Sequence, residues 1–265
     1  MTNDVDIIVP VYGGQQHLER LIPALAETTQ GLPVQVWFSD DATPESKDGP
    51  ALRAWLTEQV KPHANWHTLF SPKNGGFAAC NNRAALEAKG DYICMLNSDT
   101  VPHAGWLKAM LGVMRAFPQV GAVGAKLIWP PWATGNRLPG MVQHAGVAFN
   151  AMRLPYHIME GFPPEHRLVN RPLMMKAVTG ACMLVRRRLW DQVGGLDEEF
   201  GQGNFEDIDL CLKIVEAGYE VAYCPTAVLY HLGSGSENVA DAERNSMLFM
   251  HHWQHKITSD DWMYW

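Results

Sequence analysis

Short apolar runs alternate with stretches of helical periodicity through the first half of the chain. Val5-Asp6-Ile7-Ile8-Val9-Pro10-Val11-Tyr12 reads as a buried strand ending in a Gly13-Gly14 turn. A helix is expected from Gln15 to Thr29, where Leu18, Leu21, Ile22 and Leu25 recur at helical spacing. Val34 to Phe38 reads as a second strand that stops at Ser39-Asp40-Asp41. Gly49 to Val60 reads as a helix, Trp66 to Phe70 as a third strand, and Asn74-Gly75-Gly76 as the opening of a helix through Ala88. Tyr92 to Leu96, a helix from Trp106 to Phe117 and a strand from Val120 to Trp129 complete the series. Such alternation predicts βαβ units and an α/β, mostly parallel, Rossmann-like sheet with helices on both faces. The topology rule for such sheets brings the carboxyl ends of the strands to one edge, where ligands bind. Pro10, Asp40, Asp41 and Asp99 all fall there.

The second half changes character. Residues 130–176 are rich in Pro, Gly, His and Met, with only short strand candidates such as Met141 to Phe149. Ala177 to Val185 reads as a strand and Arg186 to Val193 as a short helix closed by Gly194-Gly195. Asn204 opens a helix whose Phe205, Ile208, Leu212, Val215 and Tyr219 form one apolar face. The tail from Asp241 reads as helical to Lys256 and ends in Trp262-Met263-Tyr264-Trp265. The pattern divides the chain into residues 1–129, residues 130–235 and a helical, Trp-rich tail, 236–265.

Composition narrows the class of protein. At 47% hydrophobic and 18% charged over 265 residues, the chain can bury a large core. A net charge of −7, with no basic run beyond Arg186-Arg187-Arg188, argues against a nucleic-acid partner. An acidic protein that binds an anionic ligand needs a metal ion, helix N-termini or a few aimed cations. The five cysteines lie in apolar surroundings without metal-finger spacing, which predicts buried free thiols in a reducing compartment. No run approaches the ~18 apolar residues of a spanning helix. A cytoplasmic protein with at most peripheral membrane contact is expected.

Two acidic stretches carry candidate chemistry. Asp91 to Thr100 is an apolar strand that stops at Asn97-Ser98-Asp99, where a carboxylate suits a hard divalent cation. It reads equally as a turn in which Asp99 or Thr100 caps the next helix. Asn204 followed three residues later by Asp207 resembles a capping box. At ~100° per residue, Glu206 and Asp207 lie well off the apolar stripe and Asp209 borders it. Asp207 is thus free to face a cleft. Asn74, Gly75 and Gly76 precede a helix, so their free N–H groups are expected to face phosphate.

Eight motifs occur in one order: Ile7 to Tyr12, Ser39-Asp40-Asp41-Ala42-Thr43, Asn74-Gly75-Gly76-Phe77 with Asn82, Leu96-Asn97-Ser98-Asp99, Thr179-Gly180-Ala181, Gly194 to Glu198, Glu206-Asp207-Ile208-Asp209-Leu210 and Tyr230-His231. Together they resemble a family 2 glycosyltransferase of the GT-A fold, inverting and similar to rhamnosyl- and galactofuranosyltransferases. The resemblance covers roughly residues 5 to 235, and it implies that 1–129 is the nucleotide-sugar-binding half and 130–235 the acceptor-binding and catalytic half of one GT-A domain. It implies that Asp99 binds Mn²⁺ or Mg²⁺ bridging the diphosphate of a UDP- or dTDP-sugar donor. Asn97 departs from the family's first carboxylate, so His231 becomes the second metal ligand. Pro10, Tyr12 and Asp41 match the nucleobase pocket, with Asn74, Gly76, Asn82, Asn97 and Ser98 also on the donor side. Asp207, paired with Glu206, matches the general base. Gly180, Asp209 and Trp190 fall on the side of a glycan or lipid-linked acceptor, and Trp129 and Trp132 could also stack on its sugars.

Two other readings fit parts of the pattern. A non-catalytic subunit that binds glycan or nucleotide sugar would explain Asn97. A sugar-phosphate nucleotidyltransferase would need a basic Gly-rich loop, and Gly13-Gly14 is followed by no Lys or Arg until Arg20.

Overall fold

The computed structural model describes residues 4–233 and 239–265. The first half runs β1 (Val5–Val11), α1 (Gln15–Thr29), β2 (Val34–Asp40), α2 (Gly49–Val60), β3 (Trp66–Phe70), α3 (Gly76–Glu87), β4 (Tyr92–Leu96), β5 (Thr100–Pro102), α4 (Trp106–Ala116) and β6 (Val120–Ile128). The second half holds β7 (Val142–His144), β8 (Val147–Phe149), β9 (Pro155–His157), β10 (Leu173–Met175), β11 (Cys182–Arg186), α5 (Arg187–Val193), α6 (Glu206–Glu216), β12 (Glu220–His231) and α7 (Val239–Trp253). The boundary expected between 235 and 236 lies outside the described residues.

One sheet organises the molecule, in the order β10-β12-β6-β11-β4-β1-β2-β3. Strands β3, β2, β1 and β4 are parallel, and β6 and β12 run in the same sense. β11 is inserted antiparallel between β4 and β6, and β10 runs antiparallel at the edge. The sheet is therefore mostly parallel, as the alternating pattern requires. Its apolar strands are buried on both faces, as parallel strands between helices must be. One core packs Leu18, Leu21 and Leu25 of α1 and Trp106 and Met110 of α4 against one face. The other packs Leu189, Leu210 and Ile214 against the opposite face. The five cysteines are free and buried among these layers.

Two local expectations are corrected. Asn97-Ser98-Asp99 caps no helix: Thr100 N donates to Asn97 O at 3.2 Å, closing a turn that leads into β5, and α4 starts only at Trp106. The apolar face of α6 is also not the expected one. Leu210, Cys211, Leu212 and Ile214 are buried, whereas Val215 is 37% exposed. The reason is tertiary. α6 packs against β6 and β12, and α7 then covers a second side, with Phe249 stacked on Phe205 at 5.1 Å. No described helix is long and apolar enough to cross a membrane.

Candidate active site

The carboxyl ends of β1, β2 and β4 open onto a cleft of about 950 Å³. Pro10, Tyr12, Asp41, Asn74, Gly76, Asn97, Ser98, Asp99, Gly180, Glu206, Asp207 and His231 all line it. Twelve residues drawn from seven separate motifs thus meet in one space.

Asp99 and His231 meet through strand register. β5 pairs antiparallel with β12, setting Thr100 opposite His231. Leu232 N donates to Asp99 O at 3.1 Å and fixes the crossing. His231 Nε2 then lies 3.2 Å from Asp99 Oδ1 and 3.4 Å from Asn97 Nδ2. Asn97 Oδ1 is buried and has no hydrogen-bond partner. A carboxylate, an imidazole nitrogen and an orphaned amide oxygen form a donor set that fits a divalent cation of the Mn²⁺ or Mg²⁺ kind, with nitrogen favouring the former. Among the described residues, Asp197, Asp209 and His252 also come together away from the cleft. There the Lys213 ammonium already sits 2.6 Å from Asp209 and 3.5 Å from Asp197, so a side-chain cation already serves both carboxylates.

The acidic pair lies at the start of α6. Asn204 and Phe205 both take left-handed backbone, with φ of 81° and 76°, and no side chain caps the helix. The capping-box reading therefore fails. Asp207 instead uses Oδ2 to accept from Gly180 N at 2.7 Å and Oδ1 to accept from Ile208 N at 2.8 Å. These bonds hold its carboxylate at the cleft wall. Glu206 differs from its neighbour. It is only 6% exposed, its Oε2 is unpartnered, and burial followed by the Asp207 charge pushes its pKa up to about 8. At neutral pH Glu206 holds its proton and so cannot serve as the base.

The nucleotide side is built around β2. Asp40 is fully buried and committed to Arg53 at 3.0 Å and to the Thr43 hydroxyl. Asp41 accepts from Gly75 N at 3.1 Å and from Gly76 N at 2.7 Å. The N–H groups expected to face phosphate are thus taken by Asp41, which ties β2 to the start of α3. Gly76 has a φ of +85°, and a Cβ there would collide with the Gly201 carbonyl. Tyr12 is 43% exposed in the cleft, and Lys47 Nζ lies 4.1 Å from its ring centre.

Three expected site residues do not reach the cleft. Asn82 Nδ2 donates to Leu196 O at 2.8 Å and its Oδ1 accepts from Leu196 N at 3.0 Å, so it binds α3 to the 196–198 segment. Asp209 is fully buried, accepting from Trp253 Nε1 at 2.8 Å beside Lys213. Trp190 is 5% exposed and packs in the core beside Leu189. For Asn82 and Asp209 a neighbour distant in sequence claims the side chain. Trp132, 42% exposed, stacks under Arg20 at 5.4 Å outside the main cleft.

Sequence reasoning missed the residues of β7 and β9. Gln143 Oε1 lies 2.7 Å from His231 Nδ1. His144 is fully buried, and burial followed by the neighbouring His157 and His231 drives its pKa well below the usual value. His157 and Tyr156 line the cleft from β9. Their only signal was the abundance of His in a segment with weak periodicity.

The fold is the one shared by glycosyltransferases of the GT-A class. Residues 2–247 match the model of the glycosyltransferase-like family 2, and the chain belongs to that family. It is similar to the O-antigen biosynthesis protein RfbC of Myxococcus xanthus, at 31% identity over 91% of this chain and 18% of that protein. It is also similar to the N-acetylglucosaminyl-diphospho-decaprenol L-rhamnosyltransferase of Mycobacterium tuberculosis, at 27% identity over 87% of this chain and 76% of that protein. Of the first two curated relatives it matches, the chain spans about a fifth of the length, 19% and 18%. The structure of GalNAc-T7 with UDP, GalNAc and Mn²⁺ superposes with a TM-score of 0.72 at 12% identity, over 96% of this chain and 49% of that one. The mannosyltransferase PcManGT from Pyrobaculum calidifontis, with GDP-Man and Mn²⁺, gives 0.67 at 16% identity, over 98% and 66%.

Proposed function

We propose that this chain is a metal-dependent, inverting glycosyltransferase that moves a sugar from a nucleoside diphosphate donor to a hydroxyl of a glycan or lipid-linked acceptor. The observation that carries this reading is the Asp207 carboxylate, held by two backbone N–H groups in the same cleft as Asp99 and His231. The acceptor oxygen attacks the anomeric carbon as its proton passes to Asp207, and the bond from that carbon to the diphosphate breaks. General-base catalysis of this kind contributes about 10²–10⁴-fold. Asp99 and His231, with Asn97 beside them, would hold the cation; when bound, it neutralises charge on the departing nucleoside diphosphate. Tyr12 offers an exposed ring for base stacking, and Pro10 and Asp41 bound the same end of the cleft.

The acceptor class draws support from the relatives, one named for O-antigen biosynthesis and one for rhamnosyl transfer to a decaprenol-linked sugar. Five buried free cysteines agree with a cytoplasmic setting and a role in polysaccharide assembly on that side. The test is a panel of UDP-, dTDP- and GDP-sugars, scored for nucleotide release with Mn²⁺, with Mg²⁺ and with chelator. Release from at least one donor, abolished by chelator, is expected. Donor binding by calorimetry without release under any condition would favour a non-catalytic binding subunit instead.

A further inference from the structure

We infer that Gln143 is a positioning residue for cation binding: it fixes His231 in the tautomer that turns a nitrogen lone pair toward Asp99. The inference rests on the cation reading of the cleft and adds to it a residue from an element outside the family motifs.

Gln143 lies in the middle of β7, which pairs with the end of β6 on the side opposite β12. This placement brings it to His231 from behind, and its side chain is 5% exposed. Its Oε1 lies 2.7 Å from His231 Nδ1, a short contact that requires Nδ1–H to donate. A neutral imidazole carries only one N–H. With that proton at Nδ1, Nε2 presents a lone pair, and Nε2 is the atom 3.2 Å from Asp99 Oδ1. Two lone pairs facing each other at that distance repel until a cation lies between them. Asn97 Nδ2, 3.4 Å from the same Nε2, is a donor facing that lone pair.

The choice of an amide matters. A carboxylate at 143 would add a charge next to Asp99, whereas the neutral amide orients the ring and leaves the charge balance to Asp99 and the ion. Burial keeps water from competing for the Nδ1 proton. Partners of this kind, holding the far nitrogen of a ligating histidine, typically change metal affinity about 10–100-fold when removed.

The experiment measures Mn²⁺ binding to the full chain by titration calorimetry in the presence of UDP, for the wild type, Gln143→Met, Gln143→Glu and His231→Ala. Gln143→Met keeps chain length but lacks a strong acceptor. The expected result is a Kd for Mn²⁺ raised about 10–100-fold in Gln143→Met, with affinity recovered in Gln143→Glu. Nitrogen-15 spectra of the metal-free wild type are expected to show the His231 proton on Nδ1, a readout that a merely structural role would not move and that needs no variant to fold. Wild-type Mn²⁺ affinity in Gln143→Met, or a His231 proton on Nε2 in the wild type, overturns the proposal while leaving the cation site intact if His231→Ala loses binding. Wild-type affinity in His231→Ala, or no Mn²⁺ binding by the wild type, overturns both.

Discussion

The Gly180 amide donates to Asp207 Oδ2 at 2.7 Å, so the start of α6 and the turn before β11 are locked together at the wall of the cleft. The contact works only because position 180 has no side chain. A Cβ there would come within 3.0 Å of the Asp207 Cβ, tighter than ordinary packing allows. Gly180→Ala is therefore expected to push the carboxylate aside and lower kcat about 10²-fold, the scale on which a displaced catalytic group costs rate. The Kd for donor should stay close to wild type. Steady-state kinetics with calorimetry on the same variant checks both halves.

Glu206 gives the protein a pH-dependent stability. The folded protein keeps this proton up to about pH 8, while the unfolded chain releases it near pH 4.5. Between those values the folded state binds more protons, so stability falls as pH rises. Glu206→Gln removes the penalty. Its Tm should match wild type near pH 4.5 and exceed it at pH 8, by roughly 2–4 °C for each kcal/mol relieved in a chain of about this size. Melting curves at the two pH values decide the matter, and parallel wild-type and variant curves would contradict it.

Asp41 ties β2 to the start of α3 through the Gly75 and Gly76 N–H groups. Asp41→Ala leaves those donors without a partner in a buried setting, at a cost of about 1–3 kcal/mol. Loss of stability should come with a raised KM for donor, because Tyr12 and Asn74 border the same pocket. Denaturant unfolding and donor kinetics are the measurements. A change in KM without loss of stability would show that Asp41 acts on the nucleotide alone.

His231 and Asp99 should act as equals toward the cation. Because Asn97 brings no charge, His231→Ala is expected to weaken Mn²⁺-dependent donor binding about as much as Asp99→Ala. Calorimetry with and without Mn²⁺ compares them. A silent His231→Ala would remove the imidazole from the site.

The strand ends were legible in the sequence because a parallel strand is a short apolar run and a polar residue marks its end. That logic alone places Pro10, Asp41 and Asp99 at one edge of the sheet. What stayed illegible depends on neighbours remote in the chain. Asp209 borders the apolar stripe on a helical wheel, yet α7 covers it and Trp253 takes its carboxylate. Trp190 looks like a sugar platform but fills the core. Asn82 sits in a family motif and spends its amide on Leu196. Gln143 lies within the strand candidate Met141 to Phe149, but its contact with His231, 88 residues further on, has no local signal.

The central claim is a division of labour, with Asp207 taking the proton and Asp99 with His231 holding the cation. With a donor found in the panel, transfer by Asp207→Asn measured alongside its Mn²⁺-dependent donor binding tests this most directly. The predicted result is a kcat lower by about 10²–10⁴-fold with donor binding retained. An Asp207→Asn enzyme that turns over at the wild-type rate would contradict the account.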